Sequence, residues 1–93
     1  MLDDIKTILG IKNSETFDDI LTMYIATAKA DLKSAGIISS KIVESDPLIY
    51  SAIVSFVLSM ADTYEYRELS ANCYALQKDQ LRHYIEYTQN VEV

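Results

Sequence analysis

The chain has 93 residues, 14 of them acidic and 8 basic, and 49% of it is apolar. That length leaves room for one core, so residues 1–93 are expected to form a single domain, and the apolar content excludes a disordered tail. Two glycines and one proline are too few for the turns of an all-β fold, and a net charge of −6 offers no basic stripe to a phosphate backbone or an anionic membrane.

A chain of this size buries about 60–65% of the surface that its unfolded form exposes, which leaves a thin stability margin. Oligomerisation is one common way to widen it. The single cysteine, Cys73, rules out an intramolecular disulfide and fits a reducing compartment. Met1 to Lys6 has no basic segment followed by an apolar run, so no secretion signal is expected. The longest apolar stretch, Leu48 to Ala61, is 14 residues and carries Ser51, Ser55 and Ser59. A membrane span needs roughly 20, so this stretch reads as a core helix and the cytoplasm as the expected compartment.

Four helices are expected, in a small all-α bundle. The first spans Leu2 to Leu9, with Asp3 and Asp4 in the turn where the helix dipole favours negative charge. Leu2, Ile5 and Leu9, with Ile8, share a face, and Gly10 supplies a left-handed stop. The second spans about Thr16 to Ser34, with Ser14 or Thr16 as N-cap and Asp18 and Asp19 in the first turn. Phe17, Ile20, Leu21, Tyr24, Ile25, Ala28 and Leu32 recur at three- and four-residue steps as one apolar stripe. Thr22, Lys29 and Lys33 take the opposite face, and Gly36 ends the helix.

Residues 37–45 form a β-branched connector, expected to be partly extended. Asp46-Pro47 marks the next start, with aspartate as N-cap and proline in the first helical position. The third helix is expected from Pro47 to Arg67, about 30 Å long. Leu48, Ile49, Ala52, Ile53, Phe56, Val57, Met60 and Ala61 form its main stripe, and Val54 and Leu58 make a second side apolar. It is therefore the central helix. Ser51, Ser55 and Ser59 recur every four residues, a line of small side chains that lets a neighbouring helix approach and bonds back to the preceding turn. Leu69 to Asn72 reads as a link. A fourth helix follows from about Cys73 to Thr88, with Tyr74, Leu81, Tyr84, Ile85 and Thr88 on one side.

The catalytic inventory is thin. His83, the one histidine, lies between Arg82 and Tyr84 and reads as a surface residue. Cys73 lies ten residues away and reads as a buried structural thiol rather than a nucleophile, because no glycine-rich turn or orienting group accompanies it. Asp62, Glu65 and Glu68 at three-residue spacing read as a solvated acidic face. No metal-ligand spacing, phosphate loop or calcium loop occurs. Neither an enzyme nor a cofactor is expected. The feature above background is a gathering of Tyr64, Tyr66, Tyr74, Tyr84 and Tyr87 with Arg67 and Arg82, residue types enriched at protein interfaces.

Several segments together resemble a known family. Leu2-Asp3-Asp4-Ile5-Lys6-Thr7-Ile8-Leu9-Gly10-Ile11, Asp18-Asp19-Ile20-Leu21 and Ile25-Ala26-Thr27-Ala28-Lys29 are similar to its first two helices. Asp46-Pro47-Leu48-Ile49 with Ala52-Ile53, and then Tyr64-Glu65-Tyr66-Arg67-Glu68, resemble the start and end of its third. Gln80-Leu81-Arg82 matches three letters of its naming motif, with His83 where that motif has glycine. The chain resembles the phage head–tail connector proteins, DNA-packaging proteins of the QLRG type.

The resemblance implies a structural subunit that forms a homo-oligomeric ring beneath the portal protein. Such a ring extends the DNA channel, docks neck or tail completion proteins, and lets DNA pass without specific binding. The virion neck is the implied location, reached from the host cytoplasm during assembly. In a ring, Tyr64, Tyr66, Arg67, Leu81, Arg82 and Tyr84 are expected to lie partly between subunits. Composition fits equally a small helical adaptor or regulator that binds another protein as a monomer or dimer. The negative charge disfavours a helix-turn-helix nucleic-acid binder.

Overall fold

Helix α1 spans Leu2–Leu9, as the sequence predicts, and the chain leaves it through Gly10 at φ 74°. That left-handed conformation lets the Ile11 N–H reach back to the Lys6 carbonyl at 2.9 Å. The structure, a computed structural model, describes residues 1–61 and 64–89. Ile5 is fully buried, but Ile8 points to solvent rather than joining the core face.

Helix α2 spans Asp18–Ser34 and starts two residues later than expected. The Ser14 hydroxyl accepts from the Thr16 N–H at 3.3 Å, which builds a turn ahead of the helix instead of capping it. The end is as expected: Gly36 sits at φ 101°, and the Ile37 N–H returns to the Leu32 carbonyl at 3.1 Å. This folds Ile37 into the core. The connector is not an extended strand. Ser39–Lys41 closes a single 3-10 turn, and the Ile38 N–H is held by the Tyr87 carbonyl at 2.7 Å.

Helix α3 spans Pro47–Met60. An Asp46 side-chain oxygen accepts from the Leu48 N–H at 2.9 Å, the N-cap expected from Asp-Pro. Its far end differs: Ala61 is extended, so the helix stops seven residues short of Arg67 and is about 21 Å long. Helix α4 spans Arg67–Arg82 and takes in Leu69 to Asn72, the expected link. The chain then turns at His83 and Tyr84 into a short α5, Ile85–Thr88. Asp62 lies outside the described residues. Glu65 is in the turn before α4 and Glu68 in its first turn, so those two do not continue a face of α3.

The result is an all-α bundle with α3 in its middle, in contact with α1, α2 and α4. Ile49, Ala52, Ile53 and Val57 are fully buried and meet Ile5, Ala28 and Leu32 from the first two helices. The helices alternate in direction. The start of α2 lies beside the end of α3, where Ile20 and Met60 line one groove. The end of α4 lies beside the start of α3, where Leu81 and Leu48 line another hollow. Among the described residues there is no strand.

Candidate assembly surface

Tyrosine and aspartate, abundant in this chain, meet inside the bundle. The Tyr50 hydroxyl on α3 donates to Asp4 on α1. The Tyr74 hydroxyl on α4 donates to Asp31 on α2 at 2.5 Å, and Lys78 approaches the same oxygen at 3.1 Å. Tyr87 on α5 donates to Asp46 at 2.7 Å, the aspartate that also caps α3. Each pair ties together elements far apart in sequence. The bond from Tyr74, aided by Lys78, holds the Asp31 carboxyl below its ordinary range despite partial burial. Burial and the Asp31 bond push the Tyr74 phenol well above its ordinary value. Tyr50 is pushed up to about 12, first by its bond to Asp4. Tyr87 is pushed up to about 12 by burial and then by Asp46.

This divides the expected tyrosine cluster. Tyr74 and Tyr87 are buried, and Tyr74 meets Phe56 edge-on with ring centroids 5.1 Å apart. They are core groups rather than surface ones. Tyr64 and Tyr66 make a second edge contact at 5.7 Å, just before α4, where Arg67 begins the helix. Arg82 and Tyr84 are exposed at its other end, and the Tyr84 hydroxyl accepts from the Gln80 side chain at 3.1 Å. Leu81 is 2% exposed and belongs to the core of the single chain. The sixteen residues of α4 separate the two groups by about 24 Å. Tyr64, Tyr66 and Arg67 therefore form one surface, and Arg82 and Tyr84 another.

Cys73 is exposed on α4, not buried as its residue type suggested. Apolar neighbours in sequence do not decide the facing; the core edge of α4 passes through Ser70, Tyr74 and Leu81, and Cys73 lies off it. His83 is on the surface, with Nδ1 2.7 Å from the Asp79 carbonyl. Ten helical steps separate it from Cys73 by about 15 Å, beyond hydrogen-bond reach. Among the described residues no three His, Cys, Asp or Glu side chains are placed to hold a metal ion. Nor is any helix among them long and apolar enough to cross a membrane.

The feature that sequence reading missed is a groove. Leu9, Ile11, Phe17, Ile20, Tyr24 and Met60 surround a volume of about 270 Å³ where α1, α2 and α3 meet. Phe17 is 47% exposed, and Ile20 and Met60 are also open to solvent. Periodicity assigned all three to the core, but α3 ends at Met60 and nothing described covers them. At the opposite end Leu48 and Ile85 are exposed, and Leu76 stands 72% exposed on α4. A signal was present: the stripes of α2 and α3 hold more apolar residues than one small core can cover.

The contacts described form a framework of packed helices and tyrosine–carboxylate ties. No curated protein and no solved structure gives a significant match to the chain. The sequence model of the family described as phage connector protein matches residues 1–76, from α1 into the middle of α4. Gln80-Leu81-Arg82, which carries the likeness to the QLRG type, lies beyond that match. Because the match takes in well over half of the chain, the protein belongs to the phage connector family and serves as a structural component of the phage head–tail junction.

Proposed function

We propose that the protein assembles as a homo-oligomeric ring below the portal, extends the DNA channel, and presents a docking surface to the next neck or tail protein. The observation that carries this reading is the set of large apolar side chains left open at both ends of the bundle, Phe17, Ile20 and Met60 at one and Leu48 and Ile85 at the other. Phe17, Ile20 and Met60 lie together around one hollow, and contiguous open apolar surface of this kind marks interaction sites. Membership of the phage connector family supports this reading. The acid excess suits a channel wall, since a surface of that sign does not hold the DNA that slides past it. We assign it no catalytic activity. Its assembly begins in the host cytoplasm and ends in the virion neck.

In this reading Tyr64, Tyr66 and Arg67 contact one neighbour, and Arg82 and Tyr84 the other. Leu81 supports that second surface from below. The test is assembly: light scattering and negative-stain images at high protein concentration, alone and with the cognate portal, are expected to give closed rings. Phage lacking the gene are expected to accumulate DNA-filled heads without tails. A monomer at every concentration, with and without portal, overturns the ring. Normal virions from the deletion overturn the connector role.

A further inference from the structure

Helix α5 has four residues, barely one turn, and a helix that short does not hold itself together in water. Its hold comes from outside. From His83 to Gln89, Tyr87 is the one buried residue, at 6% exposure, while Ile85 and Glu86 face solvent. Among the described residues, both hydrogen bonds that join α5 to elements other than α4 also come from Tyr87. Its hydroxyl donates to Asp46 at 2.7 Å, and its carbonyl accepts from the Ile38 N–H at 2.7 Å. Its ring belongs to the core cluster. One residue thus fastens α5 to the connector and to the start of α3.

We propose that α5 is a strap, fastened through Tyr87, that opens as a unit while the rest of the bundle stays folded. Segments held by few buried contacts are the ones that open below the free energy of global unfolding. What opening releases is small: one N–H, one carboxylate oxygen and the seat of one ring. Water can satisfy both polar groups. The other Asp46 oxygen still accepts from the Leu48 N–H at 2.9 Å, so α3 keeps its cap. Closed and open forms give this end of the protein two surfaces. The closed one covers the connector; the open one bares the Ile38 N–H, an Asp46 oxygen and an apolar seat. Any partner that prefers one form shifts the balance toward it. The strap is a property of the single chain and does not rest on the ring reading.

Native-state hydrogen exchange of the full chain, read amide by amide by NMR, tests the strap. The Ile38 N–H, bonded to the Tyr87 carbonyl, reports on it from outside. The Tyr87 and Gln89 N–H groups, bonded to the Tyr84 and Ile85 carbonyls, report from within. These amides are expected to share one opening constant, about 10-fold or more above that of the Ala28 and Ile53 amides, and to respond weakly to denaturant. Val57→Ala alters the buried core about 16 Å along α3 from Asp46. It is expected to speed the Ala28 and Ile53 amides about 10-fold or more and to leave the strap amides unchanged. Tyr74→Phe takes its place if Val57→Ala does not fold. Tyr87→Phe, which keeps the ring and removes the hydroxyl, is expected to speed all the strap amides together by about 10-fold or more. Strap amides that exchange no faster than Ile53, or that follow it in Val57→Ala, overturn the proposal, because α5 then opens only when the chain unfolds. Unequal opening constants, or an Ile38 amide that Tyr87→Phe leaves unmoved, overturn it as a unit fastened by Tyr87.

Discussion

Tyr74 shows how a residue's role follows from what its polar tip finds. Its ring fills core space against Phe56, while its hydroxyl, which a buried phenol must satisfy, meets the Asp31 carboxylate. A neutral phenol bonded to a charged acceptor is worth more than an ordinary pair, so Tyr74→Phe is expected to cost about 1–3 kcal/mol in urea denaturation. A cost near zero would show that Lys78 alone satisfies Asp31. The pH dependence has two limbs of opposite sign. Folding lowers the pKa of Asp31, so its contribution is present above the ordinary carboxylate value and is lost as pH falls below about 4. Folding raises those of Tyr50 and Tyr87 to about 12, so their contribution is present below about 10 and is lost between about 10 and 12. Melting temperature against pH is therefore expected to fall at both extremes, and Tyr87→Phe to flatten part of the alkaline limb. Cys73, exposed and about 15 Å along the helix from His83, is the contrasting case. Cys73→Ser is expected to leave both melting and assembly unchanged, within about 0.5 kcal/mol.

The helices differ in how plainly their ends are written. Gly10, Gly36 and Asp46-Pro47 are strong local signals, and each boundary beside them falls where the sequence predicts. No such punctuation lies between Ala61 and Arg67, so the end of α3 and the start of α4 were not legible. The inward edge of α4 also carries Ser70 and Gln77 beside Tyr74 and Leu81, which blurs its apolar stripe and hid its first two turns. The candidate site was legible in residue type but not in place. Tyrosine and arginine do stand at surfaces, yet two of the five tyrosines serve the core, and the groove needed the end of α3 to be known. Asp46 illustrates one element holding another, because it caps α3 and receives Tyr87 from α5. Asp46→Ala removes both functions and is expected to cost about 2–3 kcal/mol, more than a cap alone. Within α3 the burial differs by position. Ile53→Ala, at a fully buried site, is expected to cost about 2–5 kcal/mol, and half-buried Phe56→Ala less than the 3–5 of a fully buried aromatic. Equal losses beyond 4 kcal/mol would place Phe56 at the centre of the core.

For the whole molecule, the proposed assembly ties stability to protein concentration. A 93-residue domain has a small margin, and large apolar side chains stand open at its two ends, which a neighbour in the proposed ring would cover. A neighbour binds the folded chain and not the unfolded one, so each contact adds to apparent stability in proportion to the logarithm of concentration over Kd. Raising the protein to about 100 times Kd adds about 2.7 kcal/mol, and each kcal/mol moves Tm by about 4–8 °C in a domain of this size. Wild-type protein is therefore expected to melt about 10–20 °C higher when concentrated well above its assembly threshold than when diluted well below it. A variant carrying Ile20→Glu and Met60→Glu, which places charge in the open groove, is expected to melt at one temperature throughout. Calorimetry over a concentration series makes the comparison directly. If wild-type rings form and yet Tm stays flat across the threshold, the monomer is stable in its own right, and relief of a thin core is not what drives assembly. If the variant still gains stability with concentration, an interface other than the groove holds the ring together.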